Sequence, residues 1–207
     1  MNEIKRNQSI GVPKPLVDGP EKVSGKALYS GDFVPKNCLV GRIMRSPVAH
    51  AEIINIDISE AQKLPGVKVI ITGDETDEPF GILPIARFEF PLARDKVRYR
   101  GEPIACVVAI DVETAQTAID VIKFEYNELP GYFKSKEAME EGVVDLHEHR
   151  PGNIEREVDF ELGEVDAGLA DSDFILEETF NCAEICQVQS EPHAAIAEFD
   201  VERQFMT

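Results

Sequence analysis

Apolar and polar residues recur in two rhythms along this 207-residue chain, and each rhythm predicts a kind of element. Residues 67–72 are β-branched almost throughout and predict a buried strand. Residues 104–110 form a second apolar run, entered through the turn Gly101-Glu102-Pro103 and preceded by a charged strand at 96–99. Shorter runs predict strands at 39–44, 53–56 and 124–129. The helical rhythm is clearest where Ala115, Ala118, Ile119 and Ile122 fall at i, i+3, i+4 and i+7, behind Asp111 as N-cap. Residues 59–64 predict a short helix, capped by Ser59 with Gln62 three positions on and ended by Pro65-Gly66. Residues 135–141, stopped by Gly142, and residues 165–170 predict two more.

The flanks read differently. Pro13, Pro15 and Pro20 exclude regular helix from the first 20 residues, which predicts an extended arm. Residues 73–92 read as irregular. After the turn-rich stretch at 148–153, Ile154, Val158 and Phe160 alternate with charged residues, as on a half-exposed strand. Residues 174–180 and 194–199 predict two further strands. Strands and short helices mix without strict alternation, so the class is α+β with a mixed, partly antiparallel sheet.

Charge sharpens this picture. The net charge of −18 argues against a nucleic-acid partner, whose phosphates need Lys and Arg. Residues 1–110 carry 15 basic and 14 acidic side chains, whereas residues 111–207 carry 6 and 25. A solvated acidic surface is the preferred reading over an electrostatic match to a basic partner. Cys38, Cys106, Cys182 and Cys186 form neither a disulfide framework nor a zinc set; Cys182 and Cys186 are a lone C-x3-C pair. Four free thiols suit a reducing compartment. With no leader-like opening and no apolar stretch near the roughly 20 residues that cross a bilayer, no membrane span and a cytoplasmic protein are expected.

Candidate chemistry is sparse. Arg94, Lys96, Arg98 and Arg100 share one parity and would project from one strand face. Charge protection of an edge strand is preferred over a docking stripe for carboxylates or phosphate. Glu102 reads as an ion-pair partner of a neighbouring Arg rather than a general base. His147 and His149 lack a third ligand for a metal, and His50 reads as a backbone-bonding residue. Glu191 and His193 form the last polar cluster; an acid–base pair is conceivable there, but a structural role is preferred because no nucleophile accompanies them. No phosphate-binding glycine loop, nucleophile elbow or C-x-x-C motif occurs.

Four stretches, in order, resemble the large, molybdenum-binding subunit of the xanthine dehydrogenase and aldehyde oxidase family. They are Val17-Asp-Gly-Pro-Glu-Lys-Val-Ser-Gly-Lys-Ala-Leu-Tyr-Ser-Gly-Asp32; Leu39-Val-Gly-Arg-Ile-Met-Arg-Ser-Pro-Val-Ala-His-Ala51 with Ile56-Asp57; Leu64-Pro-Gly-Val67 with Ile71-Thr-Gly-Asp74; and Val97-Arg-Tyr-Arg-Gly-Glu-Pro-Ile-Ala105, leading to Thr114-Ala115 and Glu128-Leu-Pro130. The resemblance covers about residues 11–200. Pro79-Phe-Gly-Ile-Leu-Pro-Ile-Ala86 and Pro91-Leu-Ala-Arg-Asp-Lys96 point within the family to the α subunit of the 4-hydroxybenzoyl-CoA reductase branch.

The resemblance implies an N-terminal arm (1–14), an α/β-hammerhead domain (15–130), a linker (131–152) and the first strands of an incomplete molybdopterin-binding domain (153–207). It further implies a molybdopterin cofactor in the full-length subunit, as the cytosine dinucleotide in bacteria, with none expected on this chain alone. The implied partners are the remainder of the molybdenum subunit and iron–sulfur and flavin subunits. The family's catalytic residues align beyond Thr207, so none is assigned here. A truncated or split oxidoreductase subunit acting as scaffold is therefore expected. A stand-alone binding or assembly module is the alternative, and an independent enzyme using Glu191 and His193 is least favoured. Residues 150–207 are expected to pack poorly, or to pair with another copy through an open strand.

Overall fold

The computed structural model describes residue 11 and residues 13–83 and 87–207. Most of the first arm (1–14) and the Pro84-Ile-Ala86 part of the irregular region lie outside the described residues. Along the chain run α1 (Gly19–Val23), β1 (Val40–Arg45), β2 (Ala51–Asp57), β3 (Val67–Thr72), β4 (Lys96–Val97), β5 (Pro103–Ala109), β6 (Lys123–Glu128), α2 (Val112–Val121, between β5 and β6), α3 (Ser135–Ala138), α4 (Val165–Ala170), β7 (Phe199–Asp200) and β8 (Phe205–Met206). The chain divides into two units: residues 37–177, and the segments before 37 and after 177.

The larger unit is built on β5. Ile104, Ala105, Val107 and Ala109 of this strand are completely buried. Its two edges are both occupied, by β1 and β3, giving an antiparallel sheet of order β1-β5-β3. A strand flanked on both sides and covered by a helix has little contact with water, which is why it reads as a near-continuous apolar run. A second antiparallel sheet has the order β4-β2-β6, with β4 at its edge. The fold is thus mixed α and β, and every described strand pairing is antiparallel.

Helix α2 lays the predicted stripe into the core: Ala115, Ala118 and Ile122 cluster with Ile70, Val107 and Ala109. The Asp111 carboxylate accepts the Thr114 N–H at 2.7 Å, the cap expected from sequence. A second cluster joins Ala51, Ala93, Val97 and Ile104, with Met44 packed against both clusters. At Gly73 an added Cβ would lie 2.3 Å from the Ala93 carbonyl oxygen, so the end of β3 passes too close to the segment before β4 for any side chain.

Several expectations change. Residues 59–64 form only a 3-10 turn, Ala61–Lys63, and Ser59 is not its cap; the Ser59 N–H instead donates to Asp57. Pro20 sits inside α1, in the first turn, where its missing N–H has no helical acceptor to lose. The charged strand ends at Val97 rather than at Tyr99, because the chain turns there and Glu102 N–H bonds Tyr99 O. The strands expected at 154–160 and 174–180 do not form, and of the one expected at 194–199 only Phe199 lies in a strand, β7; Phe160, Phe174 and Phe180 stand exposed. Those stretches have no neighbour whose carbonyls and N–H groups complete a ladder among the described residues, and a strand is not stable alone. Residues 204–207, by contrast, do pair: β8 lies antiparallel to β7, and Glu198 and Thr207 exchange both backbone bonds.

Candidate functional site

Lys96 and Arg98 flank buried Val97 on the edge strand β4, and both reach the same loop. Lys96 Nζ donates to Asp145 O at 3.3 Å, and Arg98 Nε to Leu146 O at 2.9 Å. Arg98 also donates to Lys96 O and lies 3.8 Å from the Asp95 carboxylate. Arg94 is exposed, with its guanidinium over the Phe90 ring at 5.2 Å; Arg100 is exposed as well. The four cations of one parity are therefore divided: two tie down the chain's own loop and two face water.

That loop is internally fastened. Asn153, with φ of 58°, accepts Leu146 N–H through its Oδ1 and donates through Nδ2 to Ala138 O and Val144 O. Val144 N–H donates to Tyr132 Oη, and Gly152 N–H to Asp145 Oδ1. Arg150 pairs with Glu155 at 2.7 Å and stacks over Phe88. His147 and His149 meet the Phe88 ring edge-on, at centroid distances of 5.5 and 4.4 Å.

Between this loop, the turn after β4 and residues 87–95 lies a cleft of about 510 Å³. Glu102 lines it, and burial raises its carboxyl above the ordinary range, opposed by the Arg98 backbone N–H that it accepts. Burial also raises the Tyr99 phenol and lowers the His147 imidazole, with the Arg98 charge adding to the latter. Within the cleft Glu102 accepts the Arg98 N–H, and the Arg98 guanidinium lies beside Asp95. Among the described residues no three His, Cys, Asp or Glu side chains gather as a metal site. The described residues thus offer no ligand set for a molybdenum ion.

Glu191 and His193 lie in the other unit, both exposed. The Ser30 N–H donates to Glu191 Oε1 at 3.1 Å, and His193 Nε2 contacts Gln189. Neither bonds the other among the described residues, so the geometry holds Glu191 against the backbone near Ser30 rather than assembling an acid–base pair. Cys182 and Cys186 are exposed free thiols, while burial raises the Cys106 thiol. His50 is 1% exposed, its Nδ1 is 2.7 Å from Pro130 O and its Nε2 has no partner among the described residues.

Sequence reasoning did not find Phe88, Tyr132 or Asn153, which build the loop. The Pro151-Gly-Asn153 turn was the available signal for Asn153, since Asn tolerates positive φ. No local signal could have joined Phe88 to His147.

Residues 24–130 match the family described as aldehyde oxidase and xanthine dehydrogenase, a/b hammerhead domain. The chain is 34% identical to the nicotinate dehydrogenase large molybdopterin subunit of Eubacterium barkeri, over 96% of this chain and 46% of that one. It is 32% identical to the gamma subunit of the 6-hydroxypseudooxynicotine dehydrogenase complex of Paenarthrobacter nicotinovorans, over 87% and 24% respectively. Quinoline 2-oxidoreductase from Pseudomonas putida 86 superposes with a TM-score of 0.77 at 28% identity, over 92% of this chain and 25% of that chain. This chain thus spans less than half the length of each of these. The finer resemblance to 4-hydroxybenzoyl-CoA reductase is not confirmed by them.

Proposed function

Because the chain belongs to the aldehyde oxidase and xanthine dehydrogenase family, through its hammerhead domain, we propose that it is a scaffold portion of a molybdenum hydroxylase large subunit. In this reading it carries no catalytic residue of its own. Residues 15–130 form the hammerhead domain, 131–152 the connection, and 153–207 the first part of the molybdopterin-binding domain. The rest of that domain binds the cofactor, as molybdopterin cytosine dinucleotide, and iron–sulfur and flavin subunits complete the electron path in the cytoplasm.

The observation that carries this reading is the exposed apolar run after residue 153. Val158, Phe160, Leu162, Phe174, Leu176, Phe180 and Ile185 are each more than two-thirds exposed. Yet most of this chain superposes on a structure about four times as long. Apolar side chains in extended backbone, without a sheet of their own, support a role in pairing with further polypeptide of the same subunit. The names of the nicotinate and quinoline enzymes support a nitrogen heteroaromatic substrate for the assembled enzyme. Arg94 and Arg100, the exposed half of the basic set, are its candidate contacts to another subunit.

The test is molybdenum and pterin content, measured with mass in solution, for the 207-residue chain alone and after co-expression with the remaining subunit sequence. Metal and pterin appearing only in the larger species is the expected result. A metal-free chain that stays monomeric and does not bind that sequence would favour a stand-alone module. Stoichiometric molybdenum on the chain alone would overturn the scaffold reading.

A further inference from the structure

The loop at residues 145–153 stands apart from the family reading, and its contacts suggest a device that does not depend on it. Three kinds of contact hold this loop in place. Lys96 and Arg98 bond its carbonyls, Asn153 cross-links it internally, and two imidazoles press on Phe88. The first two kinds are insensitive to pH near neutrality. The third is not, because an imidazole is the one side-chain type here whose ordinary titration lies near pH 6.5.

We propose that His147 makes this loop an acid-released clasp, closed on the edge of β4 when its ring is neutral and opened by its protonation. The surroundings are what a neutral ring needs and a cation does not. Arg98 lies on the β4 side of the cleft, and Arg150 stands over the same Phe88 ring. The second imidazole, His149, is 5.5 Å away between ring centroids. A proton on His147 therefore adds a positive charge beside two fixed ones, in a half-buried position.

The carboxylates around the cleft do not reverse this. Glu102 is occupied by the Arg98 N–H, Glu155 by the Arg150 guanidinium and Asp95 by Arg98. Glu89 and Glu148 also line the cleft, and Glu155 is the carboxylate that raises the His147 pKa. Burial and the Arg98 charge lower the His147 pKa against its ordinary 6.5, outweighing the raising effect of Glu155. The sign follows. The closed loop holds its proton less tightly than the open one, so closure is complete above about pH 6.5 and weakens as pH falls below it.

Hydrogen exchange on the 207-residue chain tests the clasp, corrected for the intrinsic pH dependence of amide exchange. Between pH 7.5 and 5.5, peptides containing Val144, Leu146 and Gly152 should lose protection by about fivefold. Peptides from β5 should not change. His147→Phe keeps a ring against Phe88 without a titrating nitrogen, so its loop should stay protected at both pH values. Unchanged protection of the wild-type loop, or an equal loss in His147→Phe, overturns the proposal. Should that variant not fold, NMR titration of the wild-type His147 ring decides. A midpoint below 6.5 that tracks the amide opening supports the clasp, and a midpoint at or above 6.5 overturns it.

Discussion

His50 shows how one buried polar side chain can fasten two strands. Pro130 O can only accept, so Nδ1–H donates to it, while Nε2 has no partner among the described residues. His50 O also accepts the Leu129 N–H, so backbone and ring together hold the end of β6 beside the start of β2. His50→Ala removes the bond and leaves a cavity, and should cost about 2–4 kcal/mol in urea unfolding. Glu102 is a second residue-scale case. Its carboxyl is raised first by burial, so the folded chain binds that proton more tightly than the unfolded chain. The charged form therefore costs stability above the ordinary carboxyl value of 4.5, and the cost fades as pH falls through the raised value. Glu102→Gln keeps an acceptor for the Arg98 N–H and should raise the melting temperature by about 1–4 °C at pH 7, with the gain shrinking toward pH 4. A melting temperature lowered at pH 7 would mean that the charge on the bond to Arg98 outweighs desolvation.

At the scale of elements, closeness of backbone and quality of caps decide the outcome. Gly73→Ala forces a Cβ onto the Ala93 carbonyl at the junction of β3 with the segment before β4. Both atoms belong to backbone or to its first branch, so neither can swing away. A loss of about 3 kcal/mol is expected by calorimetry. Asp111→Ala removes only the cap of α2 and should cost about 1 kcal/mol. β3, β5 and α2 were legible in sequence because each carries its whole signal within a dozen residues: a β-branched run, a continuous apolar run, an Asp before a 3.6-residue stripe. β4 was legible as charged but not as short, since its end is set by the Tyr99–Glu102 turn. The basic set was legible as charged but not as one face, since only Lys96 of the four lies in β4. Nor was its division into bonded and exposed cations legible, because Asp145 and Leu146 come from almost 50 residues further along.

Across the whole molecule, the unit at 37–177 carries both apolar clusters, while the stretch from 154 to 198 carries apolar side chains without a sheet. Limited proteolysis should therefore cut first between 154 and 198 and leave a fragment containing β1 to β6. Equal resistance along the chain would show that this stretch is held by contacts of its own. Sequence by itself determined the α+β class with a partly antiparallel sheet, the central strands, the capped helix and the family, because these rest on local periodicity and on motifs carried in order. Tertiary structure alone decided which strands exist after residue 153, which cations bond the 145–153 loop, that Phe88 meets His147, and that Asn153 ties that loop together. Strand ladders and side-chain clusters need a partner, and partners are chosen by the fold rather than by neighbouring residues.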